Sequence, residues 1–183
     1  MIIRDFLTFA KPAPEKVEKI NVEQLLTELI EILNPLSHMN SIEVKKDLLP
    51  FSIIGEKRVV QQALLNMMKN AVEAMPNGGE LIITMKKHKN QHEIVIQDTG
   101  LGMDEVQMKR LGKPYFTTKG QKGTGLGLMV AYRVIQQLNG QIKVNSEKGK
   151  GTAFHVYLPC SAEKDELVHV DQRVSRREIQ MHS

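Results

Sequence analysis

Residues 66–74 read Asn-Met-Met-Lys-Asn-Ala-Val-Glu-Ala and lie inside a segment, about residues 56–75, whose apolar residues recur at helical spacing. Asn66, Asn70 and Glu73 are four and three positions apart, so a helix places them on one face, opposite its Met and Leu stripe. Asparagine is a poor helix former in mid-helix, and an amide oxygen can coordinate Mg²⁺. The pattern therefore favours a functional face over an ordinary solvated one.

Two predicted strands follow this helix, at residues 80–87 and 92–98, and the second ends on Asp98-Thr-Gly-Leu-Gly-Met. A carboxylate at the end of a buried strand can accept a hydrogen bond from an exocyclic amine. The two glycines would let the backbone approach a flat base closely. Taken alone, however, this stretch is better explained as an ordinary turn between a strand and a helix.

Two more glycine-rich stretches lie further along the chain. Gly123-Thr-Gly-Leu-Gly-Leu leads into a predicted helix at residues 126–138, and the amides at a helix start can bind an anion. The preceding loop carries Lys113, Lys119 and Lys122, which suit a triphosphate, and residues 112–127 contain five glycines, which predicts a mobile lid. Gly149-Lys-Gly-Thr-Ala-Phe is by itself only a hairpin turn.

The order of the predicted helices and strands indicates the fold class. Asn21 and Gln24 form a capping-box pattern at the start of a helix with an apolar stripe from Val22 to Leu36. Strands are predicted at 42–48, 51–55, 141–146 and 152–158, with a short helix near Asp104. Hairpins dominate this order, so we expect an α+β fold, with a largely antiparallel sheet and its helices on one face.

Together, these stretches resemble, in order and spacing, the N, G1, F, G2 and G3 boxes of histidine kinases in the GHKL (Bergerat-fold) ATPase superfamily. The F box is Tyr115-Phe-Thr-Thr-Lys, and the resemblance covers about residues 20–160. It implies a two-layer α/β sandwich with a mixed, mostly antiparallel sheet. The lead-in Phe6-Leu-Thr-Phe-Ala-Lys-Pro-Ala-Pro resembles the end of a dimerisation helix, and with Asn-Ala-Val-Glu-Ala it is most similar to sporulation kinases of endospore-forming bacteria.

The resemblance divides the chain into three parts. Residues 1–13 are expected to be the end of the dimerisation and phosphoacceptor helix pair plus a linker, and residues 14–160 the ATP-binding catalytic domain. Residues 161–183 are polar and charged without an apolar period, so we expect a disordered tail.

The resemblance also implies ATP and Mg²⁺ as ligands. It implies that Asn70 coordinates Mg²⁺, that Asn66 lines the same site and that Asp98 binds the adenine amine with Thr152 nearby. Many family members carry a basic residue three positions after the metal-binding Asn, where this chain has Glu73. Lys69 precedes that Asn, so the sequence does not decide which basic side chain contacts the phosphates. The other implied nucleotide contacts are Gly100, Gly102, Phe116, Thr117, Thr118, Lys119, Gly123, Thr124, Gly125, Leu126 and Gly127.

One departure from the hydrolytic members concerns catalysis. Those members place a Glu four residues before the metal-binding Asn as a general base, whereas this chain has Asn66 there. An amide cannot take a proton from water at neutral pH. We therefore expect transfer to another nucleophile rather than fast hydrolysis, with Asn66, Asn70 and Lys119 as the catalytic group.

The nucleophile itself is not evident in this chain. A phosphoacceptor histidine of this family lies on a long helix and is followed by an acid and then a basic residue. His92-Glu93 comes closest, but it begins an alternating strand and no basic residue follows, while His38 lies at a helix end after Pro35 and reads as a surface residue. We expect the acceptor helix upstream of Met1.

The composition excludes several classes of protein and indicates where the chain works. The chain has 183 residues and a net charge of +4, without the basic and aromatic clustering of nucleic-acid binders. A single cysteine, Cys160, excludes an internal disulfide and a cysteine metal cluster, and it is expected at a strand end. No stretch of about 18 apolar residues occurs. We expect a cytoplasmic domain from a homodimeric parent that could be membrane-anchored.

Two alternatives stay open from sequence. One is a GHKL serine kinase of the anti-sigma type, which also tends to lack the hydrolytic Glu but needs no dimerisation helix. The other is a module that binds ATP without its own catalysis. The histidine kinase prediction implies as partners the chain's own dimerisation domain and a response regulator. An inhibitor protein is left open.

Overall fold

The computed structural model describes residues 16–111 and 126–160. The predicted dimerisation-helix end, the core of the predicted lid and the predicted tail lie outside these residues. The described elements are, in order, β1 (Val17–Asn21), α1 (Val22–Met39), β2 (Ile42–Asp47), β3 (Ser52–Glu56), α2 (Lys57–Glu73), β4 (Gly79–Lys87), β5 (Gln91–Asp98), α3 (Glu105–Lys109), α4 (Leu126–Gln137), β6 (Gln141–Glu147) and β7 (Gly151–Pro159).

The main sheet has five strands in the order β2-β4-β5-β7-β6. Strands β2 and β4 pair in parallel, and the other three pairs are antiparallel. This confirms the predicted mixed, mostly antiparallel sheet. The two hairpins, β4–β5 and β6–β7, meet through the pairing of β5 with β7, so β5 is the central strand of the sheet.

The helices cover one face of the sheet, as predicted. Alternate side chains of β4, β5 and β7 are buried against them, including Ile83, Ile94, Ile96 and Val156, which have no exposed surface. The long helices α1 and α2 contribute Leu, Val, Met and Ala to the same core. Within the described ranges, no helix is long and apolar enough to cross a membrane.

The capping-box pattern predicted at Asn21 forms only in part, because the Gln24 side chain donates to Glu28 Oε1 at 3.2 Å, and α2 begins without a side-chain cap. Asn21 caps α1, and its side chain accepts a hydrogen bond from the Gln24 amide at 3.0 Å. Asp104 caps α3 in a complete capping box with Gln107. Helix α1 continues past Pro35 to Met39, slightly beyond the predicted stripe.

Strand β1 was not predicted. Its sequence, Val-Glu-Lys-Ile-Asn, buries only Ile20, so it lacks the apolar alternation that identifies a strand. It forms because all five of its residues pair antiparallel with β3, more than 30 positions along the chain, in a separate two-stranded sheet. Such a distant pairing leaves no local signal in the sequence.

The face of the sheet opposite the helices carries a buried carboxylate. Glu93 on β5 is 5% exposed, and its two oxygens each lie 2.7 Å from an imidazole, His88 Nε2 and His155 Nδ1. Burial alone would raise the pKa of Glu93, but hydrogen bonds with His155, His88 and Tyr157 hold that pKa below its ordinary value. Glu93 therefore joins β5, β7 and the β4–β5 turn.

We predict that Glu93→Gln lowers the free energy of unfolding at neutral pH by about 1–3 kcal/mol, because hydrogen bonds to a charged group are lost. A lowered folded-state pKa stabilises the fold above the unfolded-state pKa, and this contribution disappears as the pH falls through the folded-state pKa. The difference between wild type and variant in urea unfolding should therefore shrink in acid.

The matched control is Glu80→Gln. Glu80 pairs with Lys45 at 2.6 Å, but both side chains are more than a third exposed, so we expect a change of about 1 kcal/mol or less. A Glu93→Gln deficit that stayed the same from neutral to acid pH would contradict an ionised Glu93.

Candidate functional site

The centre of the candidate site is Asp98, the last residue of β5. It is 3% exposed and lies directly opposite Thr152 of β7, which is 6% exposed. Asp98 Oδ1 accepts a hydrogen bond from the Gly100 amide at 2.9 Å, and the Thr152 amide also donates to the carboxylate. Among the described residues, Asp98 forms no salt bridge.

The electrostatics of Asp98 are unusual for a carboxyl group. Burial raises the pKa of its carboxyl group, and the hydrogen bonds from the Gly100 and Thr152 amides act in the opposite direction. A buried carboxylate supported by backbone amides alone is costly to the fold. Such a group at the end of a strand is a candidate for binding a ligand that donates hydrogen bonds.

The loop after β5 is fixed on both sides. The Leu101 amide donates to the Ala74 carbonyl at the end of α2 at 2.9 Å, and the Gly149 amide donates to the Leu101 carbonyl at 2.6 Å. A Cβ added to Gly100 would lie 2.2 Å from the Ala74 oxygen. A Cβ on Gly102, whose φ is +64°, would lie 2.0 Å from the Glu147 oxygen. The loop thus joins α2 to the β6–β7 turn.

These contacts give a structural reason for both glycines. The close approaches at Gly100 and Gly102 are to the protein's own backbone, so each glycine is required by packing alone. Their expected role of admitting a flat base stays a prediction.

Asn66 lies on the face of α2 that meets α4. Its side chain is nearly buried, with 8% of the residue exposed. Its Nδ2 donates to the Gly127 carbonyl at 3.0 Å, and its Oδ1 accepts from Gln62 Nε2 at 2.8 Å. Asn66 therefore connects the middle of α2 to the first turn of α4, immediately after the predicted lid. Sequence periodicity placed it on the polar face of α2 but did not identify this partner.

The other polar residues of α2 differ in exposure. Asn70, one turn after Asn66, is half-buried, whereas Lys69 and Glu73 are exposed. In the described part of the chain, no group of three or more His, Cys, Asp or Glu side chains could hold a metal ion. A metal here would need ligands such as the amide oxygen of Asn70, phosphate oxygens and water, a donor set that Mg²⁺ accepts.

Ser146 of β6 is a polar site residue that the sequence reasoning missed. Its hydroxyl contacts the Met103 amide, the Gly151 carbonyl and the Thr152 hydroxyl, at 2.8, 3.0 and 2.7 Å. The signal was present, because the Gly149-Lys-Gly turn fixes a hairpin register in which Ser146 faces Thr152.

Several predicted site residues lie outside the described part of the chain. They are Phe116, Thr117, Thr118, Lys119, Gly123, Thr124 and Gly125. Leu126 begins α4, but its side chain also lies outside the described atoms. Their expected roles stay predictions.

The histidines considered as phosphoacceptors occupy unsuitable positions. His92 lies on β5 and stacks on Phe51 with ring centroids 4.2 Å apart, and His38 is exposed in the last turn of α1. Cys160 follows β7 directly and is half-buried, with its Sγ 3.4 Å from His92 Nε2. These observations match the sequence-based predictions for the three residues.

Comparison with known families and curated proteins gives one consistent match. Residues 55–162 match the family model described as histidine kinase-, DNA gyrase B-, and HSP90-like ATPase. The chain is 40% identical over 168 residues, or 90% of its length, to sporulation kinase E of Bacillus subtilis (strain 168), and 36% identical over 87% of its length to sporulation kinase A. It spans only 23% and 27% of those two proteins.

Solved structures support the same fold. Full-length ShkA, crystallised in complex with AMPPNP, superposes with a TM-score of 0.75 and 26% identity, over 86% of this chain and 35% of ShkA. The mycobacterial sensor histidine kinase MprB superposes with a TM-score of 0.70 over 79% of this chain and 97% of MprB. At 24% identity, the MprB likeness concerns the fold alone.

We predict that Gly100→Ala separates the loop from α2, because the new Cβ cannot stay 2.2 Å from the Ala74 oxygen. The Leu101 amide should lose its protection in native-state hydrogen exchange, and unfolding free energy should fall by about 2 kcal/mol.

Gly149→Ala is the matched control. A Cβ there meets nothing within 4 Å, so only the strain of φ +83° is added and Leu101 should remain protected. Retained protection of Leu101 in Gly100→Ala would contradict the conclusion that this close contact holds the loop against α2.

Proposed function

The chain belongs to the family of histidine kinase-, DNA gyrase B-, and HSP90-like ATPases, and we propose that it binds Mg²⁺ and ATP and transfers the terminal phosphoryl group to a histidine of a dimerisation domain. That domain is upstream in the same protein or separate. Relatives that this chain matches over about nine tenths of its length include sporulation kinases E and C of Bacillus subtilis, so we propose a sporulation phosphorelay as the setting.

One observation carries the proposal of nucleotide binding, the buried carboxylate of Asp98 opposite Thr152. An ionised carboxylate is an acceptor that selects a ligand with a hydrogen-bond donor. The adenine amine is such a donor, and the ShkA structure that this fold resembles was obtained with AMPPNP. Isothermal titration with ATP or ADP and excess Mg²⁺ tests the proposal directly. No binding at millimolar nucleotide would refute it.

Asn70 is the proposed Mg²⁺ ligand. It is half-buried on α2, one turn from Asn66, and its amide oxygen is the kind of neutral oxygen donor that Mg²⁺ accepts. Bound magnesium would neutralise phosphate charge during transfer.

Asn66 supports transfer to a nucleophile other than water. Its side-chain amide forms hydrogen bonds with Gln62 and with the Gly127 carbonyl. An amide cannot act as a general base that takes a proton from water. Bound ATP supplies the phosphoryl group, whose bond to the ADP oxygen breaks as a bond to an imidazole nitrogen forms. The protein then contributes mainly alignment and charge neutralisation.

The remaining assignments belong to the same proposal. Lys119 and the F-box residues would contact the phosphates, and Gly123, Gly125 and Gly127 would form the hinge of a lid. The partners would be the chain's own dimerisation domain and a response regulator in a homodimeric, cytoplasmic assembly. Matches to sensor kinases over most of the chain support this reading over the anti-sigma type of serine kinase.

We predict that Asp98→Asn weakens ATP binding by about tenfold and GTP binding much less, because guanine carries a carbonyl where adenine carries the amine. Since the pKa of Asp98 is raised, ATP affinity of the wild type should also fall as the pH drops through that pKa, whereas the variant should show no such decline. Calorimetry with both nucleotides over a pH series measures both effects.

Asp47→Asn serves as the control for this test, because Asp47 is exposed at the end of β2. It should bind both nucleotides like the wild type. Equal losses of ATP and GTP affinity in Asp98→Asn would argue against contact between Asp98 and adenine.

We predict that Asn70→Ala reduces Mg²⁺-dependent phosphoryl transfer from ATP to a supplied acceptor-helix fragment to background. The label should be acid-labile, as a phosphohistidine is, and acid-stable label would indicate a serine kinase instead. Asn90→Ala, at the exposed β4–β5 turn, is the control with an expected wild-type rate. Unchanged transfer by Asn70→Ala would remove this residue from the site.

A further inference from the structure

Ser146 lies in one row with Asp98 and Thr152. The register places Asp98 of β5 opposite Thr152 of β7, and Thr152 opposite Ser146 of β6. Directly opposed residues point to the same face of a sheet. All three side chains therefore lie on the helix-covered face, at one end of three neighbouring strands.

The three contacts of the Ser146 hydroxyl fix the direction of each hydrogen bond. Ser146 Oγ accepts from the Met103 amide and donates to the Gly151 carbonyl. A hydroxyl has one proton to donate and two lone pairs that accept. Because the only Ser146 proton goes to Gly151, the 2.7 Å contact with Thr152 Oγ1 must use the Thr152 proton.

This direction decides what Thr152 can offer a ligand. Its only side-chain proton points to Ser146, so Thr152 Oγ1 retains lone pairs alone for any other partner. The side chain of Asp98, directly opposite, also acts as an acceptor, since its Oδ1 accepts from the Gly100 amide. The two side chains thus form a pair of acceptors, and a ligand edge that fits this pair must donate.

We propose that Ser146 is a positioning residue that sets base selectivity by holding Thr152 in its acceptor state. The inference rests on the proposed binding of an adenine nucleotide. Adenine carries an amine at the position where hypoxanthine carries a carbonyl, and a carbonyl brought to two acceptors loses its hydrogen bond. Without the Ser146 hydroxyl, the Thr152 proton is free to rotate and serve that carbonyl.

The test compares the affinities of ATP and inosine triphosphate by calorimetry with Mg²⁺. In Ser146→Ala, we expect ATP affinity to fall about threefold, and the preference for ATP over inosine triphosphate to fall about tenfold. Ser146→Thr keeps a hydroxyl on a strand and should retain most of the wild-type preference.

A double-mutant cycle separates positioning from general damage. Thr152→Val removes the hydroxyl that Ser146 is proposed to orient. Adding Ser146→Ala to Thr152→Val should then leave the nucleotide preference unchanged, because the effect passes through Thr152. Additive changes in preference would overturn the proposal.

Ser37→Ala is the matched serine control. The Ser37 hydroxyl is buried on α1 and, in the described part of the chain, has no hydrogen-bond partner. This variant should keep the wild-type preference. If Ser146→Ala lowered both affinities equally, or reduced thermal stability with the preference intact, Ser146 would be merely structural. If the wild type bound neither nucleotide, the proposed function would be refuted, and the role of Ser146 with it.

Discussion

The structure around the candidate site depends on one constraint, which is that the carboxylate of Asp98 is buried without a countercharge. Moving a charge into a protein interior costs several kcal/mol unless hydrogen bonds replace those of water. Here the replacements are backbone amides of the following loop and of β7. The loop can supply its amide only while α2 and the β6–β7 turn hold it in place. The carboxylate and its surroundings are therefore one unit.

The glycines around Asp98 show which features of the structure can be predicted from the sequence and which cannot. The periodicities were sufficient to predict an α+β fold with a largely antiparallel sheet, because helical and alternating periodicities are local properties. The two-layer arrangement was implied by the resemblance that the Asp98, lid and Gly149 stretches carry. The physical reason for Gly102 was not predictable, since its neighbour is the backbone of Glu147, 45 positions further along the chain. Contacts between distant segments are decided by packing, which a periodicity does not encode.

Strand β1 and Asn66 illustrate the same limit. The strand has a single buried side chain and gains its regular structure from a partner strand that lies beyond α1 and β2. Asn66 was singled out as unusual in the middle of a helix, and both its amide oxygen and the resemblance suggested a place near bound magnesium. Its hydrogen bonds in the structure are to Gln62 and to the Gly127 carbonyl, so it also links α2 to α4.

The small sheet of β1 and β3 has a mechanical consequence. Val17, at the start of β1, pairs with Glu56, which passes directly into α2, so the start of the described chain lies beside the base of the helix that bears Asn70. A force that pulls residue 16 away from α2 unzips this ladder one pair at a time. A force directed along the strands instead loads all five pairs in shear. The pairing of β1 with β3 therefore yields easily when residue 16 is pulled away from α2 and resists when the force runs along the strands.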